Sequence, residues 1–98
     1  MPDLTTAKGG SIDVTTTPHS EVLTDENLKV FAETLHIWNT GSTDVRVSIN
    51  EIEADFTVGT AALIPTGEDQ YFVTTRKPIK NFIVATESGT STVKYTAF

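Results

Sequence analysis

The chain contains no cysteine, and that absence removes two ways of stabilising a small fold. Neither a disulfide nor a thiolate metal centre is open to it. No apolar run approaches the ~20 residues a membrane helix requires, so no membrane association is expected. The opening Met1-Pro2-Asp3-Leu4-Thr5 has neither a basic start nor an apolar run, so no secretory leader is expected and synthesis in a cytoplasm is. Positive charge is scarce: seven Lys and Arg face thirteen Asp and Glu, leaving a net charge of −6. Nucleic-acid affinity comes mostly from neutralising phosphates, which argues against a nucleic-acid partner.

Catalytic signatures are missing as well. There is no Gly-x-Ser-x-Gly elbow and no glycine-rich phosphate loop. The two histidines, His19 and His36, stand seventeen residues apart, a spacing unsuited to a shared metal. Glu51, Glu53 and Asp55 alternate along the chain and are the calcium candidates, since oxygen clusters hold that ion. Three alternate acids are more commonly the wet side of a strand, and neither Gly nor Asn is interleaved. The expectation is therefore a protein with no enzymatic activity, no cofactor and no metal.

What the chain has in abundance is threonine: eighteen, with six serines, so about a quarter of the residues carry a hydroxyl. Threonine is β-branched, favours extended backbone and leaves a polar outer face on a strand. A regular Thr-x-Thr lattice is not present; only Thr15–Thr17 and Thr90, Thr92, Thr96 approach one. Charge is uneven. Residues 1–60 hold ten acids against Lys8, Lys29 and Arg46, for −7, and residues 61–98 hold four bases against three acids, for +1. The basic run Arg76-Lys77-Pro78-Ile79-Lys80 reads as a solvated loop and strand start, or as a match for the acidic half of a neighbouring copy.

Period-two alternation organises the rest. Residues 1–10 are polar, end in a glycine pair and read as a flexible arm, leaving 11–98 as a single domain. Ser11–Thr17 alternates as a first strand stopped by Pro18. Asp25-Glu26-Asn27 is turn chemistry, and Leu28–Leu35 alternates as a strand rather than a helix opened by Thr24. Leu35–Ile49 reads as a hairpin: Leu35 and Ile37 share a core face with Val45, Val47 and Ile49, and His36, Trp38 and Arg46 take the other. The phase breaks at Asn50-Glu51, where a bulge or tight turn is expected, and Phe56–Val58 forms a brief strand. Pro65-Thr66-Gly67 is a turn, Gln70–Thr74 is extended, and Ile79–Glu87 with Thr90–Phe98 makes a final pair. Seven to eight short strands with frequent turns predict an all-β fold, a small antiparallel β-sandwich or jelly-roll-like barrel. Most aromatics belong in its core; Trp38 is the one to watch, being exposed if Leu35 and Ile37 face inward.

A domain this size buries only roughly 60–65% of its unfolded surface, and with no disulfide it gains from self-association or docking. Ile37–Asn50, Leu63–Asp69, Pro78–Phe82 and Ser88–Tyr95 run as strand, Asn-x-Gly-Ser, strand, Pro-x-Gly-Glu, strand, Ile-Lys, strand, Gly-Thr-x-x-Val. That order resembles small β-sandwich virion proteins of tailed bacteriophages over roughly residues 35–96. The resemblance implies a structural protein of a virus particle, made in the host cytoplasm, that decorates or cements a capsid or head-tail lattice as a homo-oligomer. Partner-contact candidates are His36, Trp38, Arg46, Arg76, Lys77 and Lys80. The alternative is a carbohydrate-binding or adhesin-like module using Trp38, His36 and nearby acids.

Overall fold

A computed structural model describes residues 8–23, 32–74 and 78–98. Eight strands follow one another within them: β1 (Lys8–Val14), β2 (His19–Val22), β3 (Thr34–Asn39), β4 (Val45–Ile49), β5 (Ala62–Ile64), β6 (Asp69–Val73), β7 (Asn81–Ala85) and β8 (Ser91–Ala97). One turn of 3-10 helix, Glu53–Asp55, lies between β4 and β5. The strands form two antiparallel sheets, ordered β1-β8-β3-β6 and β2-β7-β4-β5, here called the first and second sheets. The chain is thus all-β, as its alternation predicts. Its strand order is that of a jelly roll, in which each of the pairs β1/β2, β3/β4, β5/β6 and β7/β8 is split between the sheets.

Alternation supplies the core directly. Leu35 and Ile37 of β3, Val45 and Val47 of β4, Phe82 and Val84 of β7, and Val93, Tyr95 and Ala97 of β8 point inward and are buried. Ile12, Ile49 and Phe72 pack against this cluster from its margins. Phe82 and Tyr95 meet edge to face across the layers with ring centroids 5.0 Å apart. Among the described aromatics, Trp38, Tyr71 and Phe98 are exposed, so fewer of these rings fill the core than composition suggests.

The expected Leu35–Ile49 hairpin is not formed. β3 pairs with β8 and β6, whereas β4 pairs with β7 and β5, so the chain crosses from one sheet to the other between them. The final pair fails for the same reason: β7 and β8 lie in different sheets. A hairpin and a crossing produce the same inward alternation, and only the choice of hydrogen-bonding neighbour separates them. Asn39 fixes the crossing. Its fully buried amide donates to the carbonyls of Thr43 (2.8 Å) and Ile64 (3.0 Å) and accepts from Gly41 N–H (3.1 Å) and Ser91 Oγ (2.8 Å). All four hydrogen-bonding positions of the side chain are thereby used. Gly41 is needed there because a Cβ would overlap Ser91 Oγ and Thr92 N. Thr66 adds a hydroxyl bond to the Gly41 carbonyl, and its backbone N–H donates to the Asp44 carboxylate (3.0 Å).

Smaller differences follow from local chemistry. β1 begins at Lys8 and ends at Val14, so Lys8, Gly9 and Gly10 pair with β8 rather than lying free of the sheet. Phe56–Val58 is a turn segment after the 3-10 helix rather than a strand. The break at Asn50 is real: its φ is +56°, and its side chain bonds Pro78 carbonyl and Lys80 N–H. Pro65–Glu68 turns with Gly67 at φ +80° and Glu68 N–H on the Pro65 carbonyl. The expected Asp25-Glu26-Asn27 turn and residues 28–31 of the following strand lie outside the described residues, as do residues 1–7.

Candidate docking face

The two sheets differ in what their outer faces carry. On the second sheet, the outward Ile83 and Ala85 of β7 are fully buried, while Val22 of β2 (57%) and Leu63 of β5 (43%) are exposed at its edges. The outer face of the first sheet is open. Strands β8, β3 and the edge strand β6 carry nine outward side chains in three rows: Lys94–Trp38–Asp69, Thr96–His36–Tyr71 and Phe98–Thr34–Val73. Trp38 is 47% exposed, Tyr71 58%, Val73 65% and Phe98 48%. All three exposed aromatics among the described residues therefore lie on this one face. Exposed apolar side chains gathered on one face of a domain point to an interaction site.

Polar contacts hold the middle of the face in shape. His36 stacks on Tyr71 with centroids 4.3 Å apart and planes 13° from parallel, and its Nε2 meets Asp69 Oδ2 at 2.7 Å. Cross-strand pairing explains this, since His36 lies opposite Tyr71 and Trp38 opposite Asp69. The imidazole is thus fixed against β6, and Tyr71 is held upright beside Trp38. On the other side of Trp38, Lys94 forms no ion pair with a described residue.

Arg46 does not share this face. It stands on the outer side of the second sheet, where its guanidinium bonds Glu87 (2.9 and 3.0 Å) and the Ala61 carbonyl (2.9 Å). Its hairpin assignment beside His36 and Trp38 fails because β3 and β4 belong to different sheets. With Thr43, Asp44, Leu63, Glu87 and Ser88 it lines a half-open hollow of about 220 Å³. With its charge already paired to Glu87, Arg46 works there as a brace between β4 and the β7–β8 turn. Lys80 is exposed just before β7, remote in sequence register from the aromatic rows, and Arg76 and Lys77 lie outside the described residues. Glu53 and Asp55 sit in the 3-10 turn, so the three acids do not alternate along one strand. No group of three His, Asp or Glu side chains suited to a metal occurs among the described residues.

A second polar cluster closes the sandwich at β1 and β2. Glu21 accepts from Lys8 Nζ (3.0 Å), His19 Nε2 (3.0 Å) and Tyr95 Oη (2.8 Å), joining the two sheets. Burial pushes the pKa of this carboxyl up, but the hydrogen bonds from His19, Lys8 and Tyr95 outweigh it and bring the pKa from 4.5 to about 2. Burial, together with the Glu21 carboxylate, pushes the Tyr95 phenol above its ordinary value. Lys8 Nζ also bonds the Val22 carbonyl (2.6 Å). This cluster is structural: its groups satisfy one another and tie β2 to β1 and β8.

Of this face, His36 and Trp38 are marked by the sequence as contact candidates, whereas Tyr71, Asp69, Lys94, Val73 and Phe98 are not. Each of those is an outward residue by alternation alone. What places them together is the pairing of β3 with β6 and β8, which local patterning does not encode. A scan against protein-family models finds no match to this chain, and a search of curated proteins finds none either.

Proposed function

We propose that this chain is a non-enzymatic structural module of a virus particle, which reinforces a protein shell by docking and self-association. The observation that carries the reading is the open first sheet, where Trp38, Tyr71 and Phe98, all the exposed aromatics among the described residues, stand on one face. Exposed Trp and Tyr on a rigid sheet supply large contact area with few rotatable bonds, the usual make-up of protein contact hot spots. The jelly-roll order is found in viral capsid domains and equally in lectins, so the fold alone does not choose between them. The turn-and-strand resemblance to phage virion proteins favours the first.

The test is co-sedimentation of the purified chain with phage heads that lack it. The chain pellets saturably with heads, and Trp38→Ala reduces the bound fraction at least about tenfold, as expected for a central aromatic anchor. Absence of saturable binding to heads contradicts the proposal. A carbohydrate-binding role is the second reading, favoured by the Asp69 carboxylate beside the exposed indole. It expects binding of soluble oligosaccharides that Trp38→Ala abolishes, with no preference for assembled heads.

A further inference from the structure

Resting on the reading that the open face makes protein contacts, we infer that its occupant is a second copy of this chain, packed face to face about a two-fold axis running along β3. The nine outward side chains form a grid with β3 as its middle column, β8 on one side and β6 on the other. A two-fold axis lying in the interface and parallel to β3 exchanges the outer columns between copies. Lys94 of one copy then lies over Asp69 of the other, and the reverse pair forms at the same time. In the same operation Thr96 meets Tyr71, and Phe98 meets Val73. Charge meets opposite charge, apolar meets apolar, and Trp38 of each copy comes to the axis. An in-plane axis perpendicular to the strands has the opposite result, because it leaves each outer column on its own side and sets Lys94 against the Phe98 end of β8.

Two further features fit this geometry. Isologous contacts are self-complementary, and a grid whose two flanking columns carry matching opposites satisfies that requirement without a different partner. Within one copy Lys94 and Asp69 are two strands apart with Trp38 between them, so they answer each other only across copies. β1, beyond β8, presents Gly9 and Ser11 to this face and so adds little bulk at its margin. Sheets packed in this way lie about 10 Å apart with strands nearly aligned.

The grid spans three strands over five residues of each, or about 240 Å² of sheet per copy at the usual strand spacing and rise. That is below the ~800 Å² per partner of a standard stable interface, so the dimer is concentration-dependent rather than permanent. Copies gathered on a shell reach the local concentration that a dilute solution does not.

Sedimentation equilibrium on the full chain, from micromolar to millimolar concentration, tests this. Wild type moves from monomer to dimer across the range. Asp69→Lys alone and Lys94→Asp alone each weaken dimerisation at least about tenfold, because each sets like charges together twice. An equimolar mixture of the two variants recovers the dimer, since every cross-copy pair is then opposite in sign; a variant that had merely lost its fold is not rescued by mixing. A wild-type chain that stays monomeric at millimolar concentration overturns the inference. So does a dimer indifferent to both reversals, or a mixture that fails to recover. Head binding is read separately: a monomer that still pellets with heads overturns the dimer and leaves the docking role standing, whereas a dimer that ignores heads does the converse.

Discussion

Asn39 is the residue on which the fold's connectivity depends. A buried amide with both donors and both acceptors engaged contributes little net energy per bond, but removing it leaves several buried groups unpaired. Asn39→Ala strands the Ser91 hydroxyl, the Gly41 N–H and the carbonyls of Thr43 and Ile64. The expected loss is about 3 kcal/mol by urea unfolding, seen as a lower midpoint with an unchanged slope. A loss under about 0.5 kcal/mol, the range of ordinary surface substitutions, contradicts this role. Glu21 makes a different kind of statement. Its folded pKa of about 2 lies below its ordinary 4.5, so the stability it contributes is fully present above pH 4.5 and is lost as pH falls towards 2. Glu21→Gln is expected to be less stable than wild type at neutral pH, with the difference shrinking through that acid window and vanishing near pH 2. Parallel stability curves for the two proteins between pH 5 and pH 2 argue against the ionic linkage of β1 to β2.

At the scale of elements, the physics of period two explains what the sequence shows and where it stops. Leu35, Ile37, Val45, Val47, Phe82 and Val93 are legible as core because alternation reports which side of a strand faces inward. The same pattern is silent on neighbours. Thr40–Asp44 serves as well for a crossing between sheets as for a hairpin, and the Asn39 amide that decides between them bonds to Ile64 and Ser91, both far along the chain. The short strand β2 is hidden because its inward positions carry His19 and Glu21 instead of apolar residues. His36 and Trp38 are visible as outward residues, but the partners that make them a surface arrive from β6 and β8. In the NMR spectrum, interstrand Hα and amide contacts are expected from β3 to β6 and β8, with none from β3 to β4. Contacts between Ile37 and Val47 backbones would restore the hairpin and undo the jelly-roll order.

The whole molecule is a sandwich whose exposed aromatics, among the described residues, all stand on the outer face of the first sheet. Tyr71 stacked on His36, with Asp69 holding the imidazole, makes the open face firm rather than adaptable. Aromatics held this way lose little freedom on contact, which favours affinity from a small area. Leu63→Ala on the outer side of the second sheet is expected to leave both head binding and self-association within about twofold of wild type, since surface substitutions away from an interface change little. Comparable losses for Leu63→Ala and Trp38→Ala would mean that the first sheet has no special standing.

Trp38 is the sole tryptophan of the chain, so its emission reports on the open face without any label. Acrylamide quenching of that emission, measured as the chain is concentrated and again as it is pelleted onto heads, shows whether the open face becomes occupied. Free quenching is expected in dilute solution and strong shielding in both occupied states. Trp38 remaining as accessible on heads as in dilute solution, while the chain is bound, would contradict that occupancy.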